Sequence, residues 1–300
     1  MKNTFFFLLL LLAQWSVLSA QNEAAAEPTG LPGDNFSLEG ALELFRQAQN
    51  PEEFEKLLNS EDQHVNNIDL NEDGETDYIR VIETHDKDVR VFVLQVPVSD
   101  SENQDIAVIG LEKTGKDEAV LQIIGDEEIF GEEMIVEPSD GSEEAEIEGE
   151  DKGPAPSYGN RAAIVVNVWG WPCVRFVYAP GYRPWISPWR WRHYPTWWRP
   201  WRPLGWAVWH PFRVTHYRPT VRVVHSHRVV RAHRVYKPTR VSSTTVRTRT
   251  TVARNNYKVT RTKTKVTGPR GNSVTKKTTT VKGRNGNVRA KRTTVKGRRG

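Results

Sequence analysis

TDYIRVIETHDKDVRVFVLQV, residues 76–96, decides the fold. Two runs rich in Ile, Val, Tyr and Phe flank a polar THDKD turn, and their period is two, which is the pattern of a β-hairpin. VRVFVLQV, residues 89–96, is apolar on both faces for part of its length, so it is expected as a central strand covered on two sides. Downstream, QDIAVIGLEK, EAVLQIIG and EMIVEP repeat the pattern, with KTGKD as another turn. Five consecutive strands with polar turns make an antiparallel meander.

Upstream the period changes. SLEGALELFRQAQ places Leu38, Leu42, Phe45 and Ala48 at helical spacing. Asn50, Pro51 and Glu53 then supply an N-cap, a first-turn proline and a capping-box acid for a second short helix that shares Phe54, Leu57 and Leu58 on one face. Helices followed by a meander define an α+β domain over residues 36–137.

The formal net charge of +5 conceals a division. All 37 acids lie between Glu23 and Asp151, where residues 21–152 hold only 8 Lys and Arg; residues 153–300 hold 33 Lys and Arg and no acid. Such asymmetry predicts a basic binding or packing arm, and it allows the two halves to bind each other. Residues 138–160 are acidic and rich in Pro, Gly and Ser, a linker composition. RAAIVVNVWG and VRFVYAP read as two strands turned at Gly170–Trp171–Pro172. The basic Trp/Arg/His region runs over 161–236. A Thr/Lys/Arg-rich tail, 237–300, repeats weakly around Val266, Val281 and Val295 with glycine-rich turns. Hairpin chemistry is present there, but a cationic hairpin alone has little to bury, so the tail is expected to be mostly disordered without an anionic partner.

At the N-terminus Lys2, the apolar run from Phe5 to Ala13 and the small pair Ser19–Ala20 form the layout of a secretory signal peptide, residues 1–20, ahead of a flexible 21–35. That run is shorter than the roughly 20 apolar residues a membrane span needs. No other segment is long enough, so no transmembrane span is expected. The lone Cys173 excludes an internal disulfide and reads as a small buried apolar residue, with an intermolecular bridge as the sharper alternative.

The strongest ligand motif is DLNEDGETD, Asp69 to Asp77. Asp69, Asn71, Asp73 and Asp77 bring oxygen side chains at loop positions 1, 3, 5 and 9, Gly74 permits the bend, and Glu75 offers its carbonyl. Hard calcium needs six to eight oxygens, and this spacing wraps a loop to supply them. Position 12 is Arg80, not the glutamate of an EF-hand, and a strand follows. The loop therefore resembles the shorter DxNxDGxxD calcium loops that join β-strands, as in integrin-type propeller repeats. The expected cofactor is a structural Ca2+. Asn, Asp and Gly are also ordinary turn residues.

PWISPWRWRHYPTWWRPWRP, residues 184–203, holds six tryptophans, five prolines and four arginines. Proline enforces extended backbone, indole favours a wet–apolar boundary, and guanidinium pairs with phosphate or carboxylate. Trp185, Trp189, Arg190, Trp191, Arg192, Trp197, Trp198, Arg199, Trp201 and Arg202 are the candidate polyanion or membrane-surface residues. In composition the stretch is similar to short Trp/Pro/Arg antimicrobial peptides. The competing reading packs the rings into the fold; both hold if some rings are buried inside a rim of arginines. His225 and His227 would share a strand face as a zinc or copper pair, against which Arg228, Arg231 and Arg234 argue.

DLNEDGETDYIRVIE, LQIIGDEEIFGEEMIVEP and the Trp/Arg block together resemble a group of exported bacterial proteins with no assigned activity. The resemblance spans most of residues 60–215 and implies export and a shared architecture. Phosphate loops, nucleophile elbows and HExxH are all missing from the sequence. The expectation is an exported, non-enzymatic envelope protein in the periplasm, at the outer-membrane surface or outside the cell. Its basic half would engage anionic polymers or lipid head groups, and nucleic acid only if extracellular. Self-association through pairing of the two halves is the second reading, and an enzyme with an unfamiliar site the third.

Overall fold

The structure is a computed structural model that describes residues 28–139, 165–217, 221–256, 258–267, 273–282 and 288–298. The expected signal peptide, residues 21–27 of the expected flexible segment and residues 140–160 of the expected linker lie outside the described residues.

The meander forms as read. Strands β1 (Arg80–Asp86), β2 (Val89–Pro97), β3 (Asn103–Gly115), β4 (Glu118–Gly125) and β5 (Met134–Pro138) pair antiparallel in sequence order. The hairpin that opens them is in register, Val81 facing Leu94 and Val91 facing Gly110 on the next strand. Ahead of the sheet run α1 (Leu38–Gln47) and α2 (Pro51–Leu58). The Asn50 side chain accepts from the Glu53 N–H at 2.9 Å, and the Glu53 carboxylate reaches back to the Gln49 N–H at 2.7 Å, one residue beyond the cap itself. A one-turn helix α3 (Glu127–Phe130) joins β4 to β5. The fold is α+β.

A sixth strand comes from the basic half. β6 (Val221–Val224) extends the sheet beside β5, with Val223 opposite Val136. The chemical boundary near Asp151 is therefore not a structural one: Asn35–Thr248 is a single compact unit.

Each face of the sheet has its own cover. On one face Phe36, Leu42, Phe45, Phe54 and Leu58 from the helical segments meet Val81, Phe92, Leu94, Ile109 and Ile123, and the basic half adds Val168, Cys173, Val174 and Val177. Phe45 packs edge-on against Phe54 at 5.1 Å and, tilted by 57°, against Phe92 at 5.1 Å. On the opposite face Val91, Val93, Val108 and Ile124 pack beneath Val229, Ala232 and Tyr236. Those last residues belong to or border α6 (Val230–Tyr236). Gly110 makes this contact possible: a Cβ there would lie 2.8 Å from the Ala232 Cβ. This two-sided burial is why VRVFVLQV lacks a polar face.

Of the strand pair read over 161–180, residues 161–164 lie outside the described residues and no strand forms over 165–180. Pro172–Val177 is a helix, α4, and residues 165–168 have no regular structure. Pro172 sits in its first turn, where a missing N–H costs nothing, and Cys173, Val174 and Val177 then share one helical face toward the core. Cys173 is fully buried there. Helix α5 (Trp206–Tyr217) follows, with Pro211 inside it. Among the described residues no helix is long and apolar enough to cross a membrane.

Helix α7 (Thr244–Asn256) places Val246 in the first core. Residues 249–300 cluster apart from Asn35–Thr248. Within that region β7 (Lys258–Thr267), β8 (Ser273–Lys282) and β9 (Val288–Arg298) form a three-stranded antiparallel sheet. Its register sets Lys258 opposite Lys282 and Lys263 opposite Lys277.

Candidate functional site

The Trp/Arg segment is built onto the free edge of β1. Ser187 donates its N–H to the Val81 carbonyl at 3.0 Å, and Glu83 donates to the Trp185 carbonyl at 2.8 Å, so Ile186 bridges Ile82. An exposed strand edge is a template for aggregation, and this segment occupies it.

Two buried carboxylates hold the segment down. Glu55, on α2, accepts four hydrogen bonds: from Tyr78 Oη and Ser187 Oγ at Oε1, each 2.8 Å, and from the Val81 N–H at 2.8 Å and Trp185 Nε1 at 3.0 Å at Oε2. Burial pushes its pKa up, and the four donors oppose that shift. Glu83 accepts from the Tyr182 hydroxyl and the Trp185 N–H. Burial raises this carboxyl as well.

Beyond Ser187 the rings form a nest over Tyr78. Trp198 meets Tyr78 edge-on at 5.1 Å and Tyr194 at 4.7 Å, and Trp201 at 6.4 Å extends the cluster. Trp198 is 3% exposed and Trp209 1%, so both are core. Trp185, Trp189, Trp191 and Trp201 are half-buried, and Trp197 is 47% exposed with Lys56 over its ring. Arg190, Arg192, Arg199 and Arg202 are all exposed. Arg199 binds the Thr196 and Trp198 carbonyls, and Arg192 lies over the Trp191 ring at 5.6 Å.

Two sets of arginines stand out among the described residues of the basic half. Arg222 and Arg228 both engage Glu137, each at 2.8 Å; Arg231 engages Glu112 at 2.8 Å; Arg240 engages Asp126 and Glu128; Arg247 engages Glu128. Glu112, Asp126 and Glu137 are buried. Arg190, Arg192, Arg199 and Arg202 have no acidic partner among the described residues. The sequence held a signal for the first set: Glu83, Asp105, Glu112 and Glu137 interrupt apolar strands where uncompensated acids would be costly, so each required a partner from elsewhere in the chain. Asp105 obtains neutral donors, the Tyr236 hydroxyl at 3.1 Å and the Val241 N–H at 2.8 Å.

Adjacent to the ring nest lies the loop Asp69–Asp77. The Thr76 N–H donates to the Trp201 carbonyl at 2.8 Å. Gly74 has φ +85°, the conformation that only glycine adopts freely, and Asp69 accepts from the Asp73 and Gly74 N–H groups at 3.2 and 2.9 Å. Asn71 accepts from the Asp73 N–H at 2.8 Å, Asp73 from the Glu75 N–H at 3.0 Å, and Asp77 from the Leu70 N–H. Glu75 itself is exposed. Burial and the neighbouring Asp69 and Asp73 push Asp77 up to about 8. The loop's side chains thus accept from its own backbone N–H groups. Its three aspartates do not gather as closely as another trio does.

That trio is Glu133, His227 and His233, the one group of three His, Cys, Asp or Glu side chains among the described residues whose ligand atoms all lie within 4.8 Å of one another. The strand pairing of His225 with His227 is not observed. β6 ends at Val224, so the backbone bends between the two histidines, and His227 meets His233 of α6 instead.

Comparison of the chain with protein-family models, with curated proteins and with solved structures gives no match.

Proposed function

We propose that this protein is an exported binding or scaffolding protein of the cell envelope, not an enzyme. Its Trp/Arg segment, Trp185 to Arg202, engages anionic surface polymers or lipid head groups. One observation carries the reading: arginines 190, 192, 199 and 202 are exposed without an acidic partner, whereas those from Arg222 to Arg247 that bind carboxylates serve the fold. Exposed guanidinium groups beside half-buried indoles capture phosphate or carboxylate at a wet–apolar boundary. The acid-free tail sheet adds cationic strands that an anionic partner would stabilise. Pairing between the acidic and basic halves is satisfied inside one chain at Glu112, Asp126, Glu128 and Glu137, which leaves fewer acids for self-association.

We also propose a structural calcium ion held by Asp69, Asn71, Asp73 and Asp77 with the Glu75 carbonyl. Stiffening this loop would stiffen the Trp201 contact beside it.

The test uses the whole mature chain, because residues 165–177 supply core. Binding to lipopolysaccharide, anionic liposomes and DNA is measured across a salt series for the natural chain and for a chain with arginines 190, 192, 199 and 202 all changed to Gln. The expected result is salt-sensitive binding that the quadruple change weakens, with unchanged far-UV circular dichroism. Absent binding at physiological salt, or binding indifferent to the four changes, overturns the reading.

A further inference from the structure

The trio at the β5–β6 edge lies outside every interaction the Trp/Arg segment uses. Glu133 immediately precedes β5, His227 follows β6, and His233 lies on α6. Strand pairing between β5 and β6 and the packing of α6 on the sheet bring these distant positions together.

The Glu133–His227 separation fits two ligands of a small metal ion better than an ion pair. Glu133 Oε2 lies 3.3 Å from His227 Nε2. A charge-assisted N–H···O bond is shorter, about 2.7–2.9 Å. A tetrahedral ion with bonds of ~2.0–2.1 Å sets its ligand atoms roughly 3.3–3.4 Å apart. The imidazoles of His227 and His233 meet at 4.4 Å between centroids, tilted by 43°, so they are not in an ordinary parallel stack. Nδ1 of each ring is closed off from solvent and has no hydrogen-bond partner. A buried polar atom without a partner calls for an explanation, and an ion among the three side chains gives at least one of them a bond. The rings are partly buried and Glu133 is exposed, which leaves the remaining coordination positions open to water.

Two of the three arginines that argued against a cation here are occupied. Arg228 lies on Glu137 and Arg231 on Glu112, each at 2.8 Å.

We propose that Glu133, His227 and His233 form a binding site for a divalent transition ion of the zinc class, joining the β5–β6 edge to α6. Two imidazoles and one carboxylate are a borderline-soft set that suits Zn2+ or its spectroscopic substitute Co2+ and disfavours Ca2+. The site differs in place and in ligand type from the Asp69–Asp77 loop.

The experiment titrates the metal-free full chain with Co2+ and follows visible absorption, then displaces Co2+ with Zn2+. One equivalent should give d–d bands of low coordination number, and millimolar Ca2+ should not remove them. H233Q and E133Q should each weaken binding by at least about tenfold, since even outer-shell changes cost roughly 10–100-fold. H193Q, a change at an exposed histidine outside the trio, should leave binding unchanged. Circular dichroism confirms that each variant folds, and E133Q, at an exposed position, keeps the test open if H233Q does not. Absence of bands, or bands equal in H233Q, E133Q and the natural chain, overturns the site.

Discussion

Replacing Glu55 separates two accounts of the tryptophan-rich segment, one in which it is anchored to the acidic domain and one in which it merely lies against it. The Glu55 carboxylate serves four donors drawn from Tyr78, Val81, Trp185 and Ser187. Glu55→Ala leaves them without an acceptor. The Tyr78 and Ser187 hydroxyls can rotate toward another partner, but the Val81 N–H and the Trp185 indole N–H cannot. Two fixed buried donors at about 1–3 kcal/mol each, plus part of the cost of the hydroxyls, give roughly 3–6 kcal/mol. Glu55→Gln behaves differently. Its carbonyl oxygen can take the place of Oε2 and keep both N–H donors, while its amide donates to the two hydroxyls, which turn to accept. That change should cost about 1 kcal/mol or less, because it also removes a charge that burial disfavours. Urea unfolding followed by tryptophan fluorescence measures both, and limited proteolysis reports whether residues 184–203 come loose. Equal losses for the two variants, or a loss below about 1 kcal/mol for Glu55→Ala, would refute the anchoring argument.

Gly110→Val should cost about 1–3 kcal/mol through overpacking, since even a Cβ there meets Ala232 at 2.8 Å; Ala232→Gly in the same chain should restore part of the loss in a urea titration, and no restoration would mean that α6 does not rest on β3 there. In chelator the urea midpoint should fall from pH 5 to pH 8. Burial raises Glu55, Asp105 and Asp77, so the folded chain keeps protons that the unfolded chain releases, and their stabilisation is complete below the ordinary 3.8–4.5 and lost as pH rises through the folded values, about 8 for Asp77. Asp77→Asn should flatten that slope, and a midpoint that climbs over this range contradicts the linkage. Cys173 is fully buried, and burial pushes its thiol pKa up, so a thiol reagent should label it only in denaturant; rapid labelling of the native chain, or a disulfide dimer on a non-reducing gel, would place it at the surface.

The acidic domain was legible because its signals are local. Period-two runs, an Asn-Pro-x-Glu helix start and polar turns each act within a few residues, so the five strands and first two helices fall where the pattern puts them. The basic half resisted reading because its partners are distant. Pro172–Val177 has the branched residues of a strand, yet a first-turn proline and a core surface waiting for Cys173, Val174 and Val177 make it a helix. VRVV at 221–224 is too short to declare itself and becomes a strand only because the edge of β5 is free to pair.

The candidate sites divide in the same way. DLNEDGETD is visible in the chain because a wrapped loop carries its ligands at short, fixed spacing. Glu133 is 94 residues from His227, and no local period links them. The sequence by itself determined the meander, the charge division and the exceptional content of the Trp/Arg stretch, all of which depend on composition or near neighbours. Only the tertiary structure decided that the two halves share one core, which arginines neutralise buried acids and which remain at the surface, and that two histidines and a glutamate meet. Those outcomes depend on which sheet edges and faces are left open once the first half has folded, a property of the assembled surface that no window of the sequence contains.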